Sequence, residues 1–335
     1  MFLSLGCATA PVKRTVWPNP PATERIELVQ TLTGQGDIDS SWTRFWRRVA
    51  GAEEPIRLYH PVGVAVTSEG DLLAVTDQAL SELFLFDFAA REVRTVPASV
   101  LGGAPVGVAL EGEKAWVMVP ARRAALQFSR KGELLRAIDF ADCDRPVGIA
   151  LDAGEGRVYV TDTSSPAGSG HRIHVHALDT GAHVGTLGER GEGPGQFSFP
   201  TFLARAPGGG LLVADTMNAR VQELDLEGHF IRQFGERGDQ VGQFDKPKGI
   251  ATDAFGNVYV VDSFFSVVQI FNRQGRLLLF FGGRGDSPGF LSNPAGIAID
   301  AHNRIYVTNA LNFRVDVYAL VNTTAADSGL GVVGK

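Results

Sequence analysis

Apolar and polar positions fall in short runs of four to six residues along most of this chain, each run closed by Gly, Asn or Asp. The stretch from Pro247 to Gln274, PKGIATDAFGNVYVVDSFFSVVQIFNRQ, shows the pattern most fully. One strand ends at Ile250-Ala251-Thr252, Asp253 to Asn257 turns, Val258 to Val261 is the next strand, Asp262 opens a second turn, and Val267 to Phe271 is the third strand. β-Branched and aromatic runs bounded by turn residues carry the strand signal. The segment recurs as Pro200 to Leu226 and as Pro294 to Leu320. One copy is too small to bury both faces of its own sheet, so the copies must pack on one another.

Six proline anchors mark the units: Pro61, Pro105, Pro146, Pro200, Pro247 and Pro294, spaced 44, 41, 54, 47 and 47 residues. They open PVGVA, PVGVA, PVGIA, PTFLA, PKGIA and PAGIA, and a second landmark follows at Asp77, Pro120, Asp162, Asp215, Asp262 and Asn309. A fourth strand follows the third in most units, as at His229 to Phe234 and Arg276 to Phe281, but the last unit ends at Leu320 without one. Arg25 to Thr33 (RIELVQTLT) alternates and can supply it, which closes a ring and removes its open edges. The expected fold is all-β: a six-bladed β-propeller over residues 25–320, with residues 1–24 as a leader and proline-rich tether and 321–335 as a disordered tail. The 54-residue spacing reflects a loop insertion, Ser164 to Gly170. One helix is expected within 40–50, where Trp42, Phe45, Trp46 and Val49 repeat at i, i+3, i+4 and i+7; its aromatic stripe either packs on the body or docks a partner or membrane interface.

Composition narrows the function. A net charge of −6 lacks the basic footprint of nucleic-acid binding, and no run of about 20 apolar residues predicts a membrane-spanning helix. The two cysteines, Cys7 and Cys143, form no CxxC motif and exclude a disulfide framework.

Asn257-Val-Tyr-Val-Val-Asp262, Asp215-Thr-Met-Asn-Ala-Arg-Val-Gln222 and the Gly-x-x-Gly-x-x-x-Gly linkers before the proline anchors resemble NHL repeats. The resemblance is strongest in units 4 to 6 and weakest in unit 2, where Val119-Pro120-Ala-Arg-Arg replaces Val-x-Asp. Met1-Phe-Leu-Ser-Leu-Gly-Cys7-Ala8 resembles the end of a bacterial lipoprotein signal, with Cys7 as the lipidated residue and Ala8 favouring outer-membrane sorting. Together they resemble the NHL lipoproteins of the bacterial envelope. That resemblance implies a platform binding an envelope or extracellular protein or polymer, with multihaem cytochromes among the candidate partners; a minority of related propellers are enzymes.

The glycine-rich linkers and the Asp262-to-Ser266 type of turn share one face with the channel mouth. Arg190, Arg237 and Arg284 recur there at a period of 47 in equivalent linkers. Each either caps its own loop by bonding carbonyls or joins an arc for an acidic partner. Arg284-Gly-Asp286 is explained by repetition of Arg237-Gly-Asp239 rather than by adhesion. His60, Arg145, Phe199, Lys246, Lys248 and Asn293 flank the anchors and ring the mouth, as a solvated rim or as a site for an anion. Asp162, Asp215, Asp262 and Asn309 recur too regularly to be catalytic and are expected to bond the backbone of their own turns, braced by Arg172, Arg220 and Arg314. His171, His174 and His176 form the one histidine cluster. His174 and His176 face the same way on a strand, a spacing that can bind a metal, yet they align with the ordinary sheet positions Gln222 and Leu224.

The expectation is therefore a non-enzymatic scaffold without cofactor or metal. The competing class is a metal-dependent propeller enzyme, lactonase-like or amidating-lyase-like, at the channel mouth. Against it stand the single histidine at that mouth, His60, and the absence of a nucleophile elbow or triad.

Overall fold

The structure is a computed structural model and describes residues 14–40, 42–43, 56–163, 170–324 and 327. It is a six-bladed β-propeller. Blade 1 comprises β3 (Pro61–Val66), β4 (Leu72–Asp77), β5 (Glu82–Asp87) and β6 (Glu92–Val96). Blade 2 comprises β7 (Val108–Glu111), β8 (Lys114–Val119), β9 (Ala124–Phe128) and β10 (Leu134–Asp139). Blade 3 holds β11 (Pro146–Asp152), β12 (Arg157–Asp162), β13 (Arg172–Ala177) and β14 (His183–Leu187). After the short parallel pair β15 (Glu189–Arg190) and β16 (Gln196–Phe197), blade 4 runs through β17 (Pro200–Arg205), β18 (Leu211–Asp215), β19 (Arg220–Leu224) and β20 (Phe230–Phe234). Blade 5 is β21 (Pro247–Thr252), β22 (Val258–Asp262), β23 (Val267–Phe271) and β24 (Leu277–Gly282). Each is an antiparallel meander.

Blade 6 joins the two ends of the chain. Its three C-terminal strands, β25 (Pro294–Ile299), β26 (Arg304–Asn309) and β27 (Arg314–Leu320), are completed by β2 (Ile26–Leu32), which pairs antiparallel with β27 from Ile26 opposite Leu320 to Leu32 opposite Val315. The alternation in Arg25 to Thr33 thus has the predicted use. The stretch expected to be a tether is in part a further strand. β1 (Val16–Trp17) pairs with β2, and the Trp17 ring packs 5.9 Å from Phe281 and 5.8 Å from Tyr318. The start of the expected tail is also tied down: Val321 N–H donates to Arg25 O at 2.8 Å, and Arg25 pairs with Asp327. Cys7, most of the expected helix and the insertion at 164–169 lie outside the described residues. At the helix start, Ser40 Oγ accepts Thr43 N–H at 3.0 Å, an N-cap. A four-residue helix that the pattern did not signal, α1 (Ala98–Leu101), enters blade 2.

Six apolar clusters fill the six seams between neighbouring blades. The seam of blades 5 and 6, for example, buries Tyr259, Val261, Phe281, Ile305 and Tyr318. Burial between copies rather than within one is what the small repeat required. Near the channel the approach is backbone to backbone. A Cβ on Gly63, Gly107, Gly148, Gly249 or Gly296 would lie 2.2–2.4 Å from the carbonyl oxygen of Val106, Val147, Thr201, Ala295 or Val62 of the next blade. This contact explains Pro-x-Gly in five units; in blade 4 Phe202 stands at the glycine position. A hydroxyl stitch crosses the seam between blades 4 and 5, where Thr216 donates to Pro247 O, and a two-way form of it crosses three others. Thr76, Thr161 and Thr308 accept the N–H of Gly63, Gly148 and Gly296, and donate to the carbonyls of Val106, Thr201 and Val62. Gly148→Ala is expected to lower stability by about 1–3 kcal/mol through overpacking, read as a reduced urea midpoint at unchanged slope.

Candidate functional site

The second-to-third strand turns and the linkers before the prolines hydrogen-bond one another and therefore share a face. Gln78, Thr163, Met217, Ser263 and Leu311 donate backbone N–H to the carbonyls of His60, Arg145, Ser198, Lys246 and Ser292. The repeated carboxylates hold this face together. Asp262 accepts N–H groups from Asp245 and Lys246 in the linker and from Phe264 and Phe265 in its own turn, and Asp77 does the same for Tyr59, His60, Ala79 and Leu80. The expected turn-bonding role is thus joined by a second one, clasping the incoming linker. Arg220 and Arg314 also brace linkers: Arg220 donates to Gly193 O and Gln196 O, and Arg314 to Asp286 O, Ser287 O and Phe290 O. In blade 2 the landmark position is Val119 rather than Pro120. Val119 pairs with Ala124 as Asp215 pairs with Arg220, while Pro120 begins the 3-10 turn that follows, where a missing N–H costs nothing.

Two of the three linker arginines are held by carbonyls. Arg237 donates to Met217 O at 2.6 Å and to Asp245 at 2.8 Å, and Arg284 donates to Phe264 O at 2.7 Å while its guanidinium lies 5.9 Å from the Phe264 ring centre. For Arg190, which is exposed, the equivalent carbonyl is that of Ser164, outside the described residues. The arc is not net basic, because Glu189, Glu192, Glu236, Asp239 and Asp286 share the same linkers.

What the arginines hold is the feature sequence reasoning missed. Met217, Phe264 and Leu311 occupy the same turn position on blades 4, 5 and 6, two residues after Asp215, Asp262 and Asn309, and are 41%, 52% and 52% exposed. Exposed Phe313 and Tyr59 extend this apolar row toward blade 1, their rings 6.1 Å apart. The signal was the fixed offset of an apolar residue from each landmark.

The mouth itself is mainly apolar. The residue after each anchor is Val62, Val106, Val147, Thr201, Lys248 or Ala295. Val106, Val147 and Thr201 line a cleft of about 410 Å³ with Arg145, Phe199 and Gln78. Lys248 is the charged member of this ring; burial lowers its pKa, opposed by Asp262. Lys246 lies beside it, Nζ 3.4 Å from Met217 Sδ, and borders a second cleft of about 440 Å³ with Phe264, Arg284, Asn293 and Leu311. His60 is partly buried at the rim. These six wall positions offer no imidazole, thiol or carboxylate, so they do not make a metal-ligand set.

The histidines separate. His171 packs against Phe199, ring centres 4.4 Å apart, while His174 and His176 meet Asp142 and Cys143 of the linker entering blade 3.

No protein-family model matches the sequence, and no curated protein matches it. Solved structures do. A streptogramin B lyase superposes with a TM-score of 0.58 at 13% identity over 79% of this chain and 95% of its own. The hydrazine synthase of Kuenenia stuttgartiensis gives 0.59 at 14% identity, over 80% of this chain and 85% of that one. A nidogen–laminin complex gives 0.59 at 17% identity, over 73% and 88%. At these identities the likeness is one of fold. Enzymes and a binding protein share it, so activity must be argued from the site.

Proposed function

We propose that this chain is a non-enzymatic docking platform whose linker face binds a protein partner. The observation that carries the reading is the row of exposed apolar tips, Met217, Phe264 and Leu311, in register on three successive blades and interleaved with Arg237 and Arg284. Aromatic residues, Met and Arg are the types enriched in protein interfaces. Guanidiniums already fixed by carbonyls lose little freedom on binding. Arg190, Arg145, Lys246, Lys248 and His60 on the same face supply the polar surround, with acidic and apolar side chains as the complementary surface.

Placement at the bacterial cell envelope, with a lipid anchor at Cys7 on the outer membrane, belongs to this proposal and rests on the Met1-to-Ala8 pattern alone. The partners it implies are envelope or extracellular proteins, multihaem cytochromes included. The runner-up, a channel enzyme, has one observation in its favour, the half-buried Lys248 amine, whose pKa desolvation lowers. It ranks second because the other five wall positions, Val62, Val106, Val147, Thr201 and Ala295, bring no titratable side chain.

Crosslinking to an envelope fraction tests the platform. The wild type is expected to capture a defined protein saturably. Met217→Asp/Phe264→Asp/Leu311→Asp is expected to lose that capture with Tm unchanged, since these tips are exposed. Undiminished capture by the triple variant would overturn the reading.

A further inference from the structure

We propose that Asp142, Cys143, His174 and His176 form a binding site for a borderline divalent cation of the zinc class, set between blades 2 and 3. The four residues present their ligand atoms within 4.8 Å of one another. Tetrahedral zinc ligands at about 2.0–2.3 Å from the ion stand roughly 3.3–3.8 Å apart, so closure needs the side chains to shift by about an ångström. Two nitrogens, one sulfur and one oxygen form a donor set that zinc accepts.

The imidazole environment points to a ligand. His176 is 1% exposed and its Nδ1 lies 3.1 Å from Gly181 O. That contact assigns the proton to Nδ1 and leaves the Nε2 lone pair directed into the cluster, 3.4 Å from Asp142 and without a hydrogen-bond partner. His174 is 4% exposed and lies between two carboxylates, with Nδ1 2.7 Å from Asp142 and Nε2 3.5 Å from Asp162. His176, bonded on one side to a carbonyl and free on the other, is oriented as metal-binding histidines are. Cys143 is fully buried beside them.

Comparison between blades shows what is unusual. The position of His174 is held in blades 4 and 5 by Gln222 and Gln269, whose amides clasp the incoming linker through Gln196 O and Gln243 O. His174 alone could be read as the same clasp. The position of His176, however, is Leu224 or Phe271 in those blades, both apolar core residues. A buried imidazole with an unpaired nitrogen at an apolar position costs stability unless something binds it. Bound metal would tie the linker Phe140 to Arg145 to β13, replacing the amide clasp, with the Cys143 proton released to solvent on binding.

The full chain, stripped with chelator, reloaded with Zn²⁺ and dialysed, is expected to retain one equivalent by elemental mass spectrometry. Its Co²⁺ form is expected to show a thiolate-to-metal charge-transfer band that Cys143→Ser abolishes. His176→Leu restores the residue type of the equivalent blades and so should fold without metal. It is expected to bind at least about ten-fold more weakly and to lose the Zn²⁺-dependent rise in Tm. Substoichiometric binding by the wild type, a charge-transfer band that survives in Cys143→Ser, or unchanged affinity in His176→Leu would overturn the site.

Discussion

Arg220→Leu is expected to destabilise the propeller by about 3–5 kcal/mol, the range for breaking a buried ion pair from one side. Asp215 is fully buried, and Arg220 Nε donates to it at 2.9 Å from a side chain only 7% exposed. The same guanidinium bonds Gly193 O, Gln196 O and Gln233 Oε1, so its loss removes three further hydrogen bonds, while Gly193 O keeps the Gln196 N–H and Gln196 O keeps the Gln222 amide. Burial raises the Asp215 pKa above its ordinary value, with the Ser198 N–H, Asn218 and Arg220 opposing. A raised carboxyl pKa in the fold means that the protonated form fits better. Its contribution is complete below the unfolded pKa and is lost as pH rises through the folded one. Removing Arg220 raises that pKa further, so the penalty should shrink in mild acid and grow toward pH about 8. Denaturant titrations of both proteins across that range check this; a pH-independent penalty would show that Asp215 keeps its charge satisfied by other means.

A chain beginning at residue 34 is expected not to fold as a monomer. Without β2, the outer edge of blade 6 exposes the unpaired backbone of β27, while Ile26 and Leu32, both fully buried, leave the seams on either side of that blade. Losing two such side chains costs about 2–5 kcal/mol each, and an open edge invites intermolecular pairing. The expected result is aggregated material, rescued by a peptide spanning residues 14–33 added during refolding. A soluble truncated protein with the wild-type Tm would mean that five complete blades and one partial blade suffice.

Turn chemistry and period-two alternation made the blades legible from sequence. Pro-x-Gly and the Asp or Asn landmark recur because each blade solves the same two problems, backbone approach at the channel and satisfaction of its linker N–H groups. Arg25 to Thr33 was readable as the missing strand because its alternation matched a vacancy counted elsewhere. Blade 2 misled by one residue, since a proline in the 3-10 turn looks like a substituted landmark when its geometry is that of the next position. Trp17 was hidden in a proline-rich segment with too few residues to alternate. The meeting of Asp142 with His174, 32 residues away, was not legible because it depends on the path of a linker that lacks the long glycine-rich form. The threonines Thr76, Thr161 and Thr308 left a visible trace, directly before Asp77, Asp162 and Asn309, but their partners lie in another repeat.

The pairing of Ile26 with Leu320 also sets an order of events in synthesis. The strand made among the first has only the two-residue β1 beside it until blade 6 leaves the ribosome. Blades 1 to 5 gain partners one by one as they emerge, whereas β2 meets its longer partner, β27, only after blade 6 has emerged. During that interval its apolar residues and free backbone are available to any passing edge, so the cell must keep one short segment of the nascent protein from committing early.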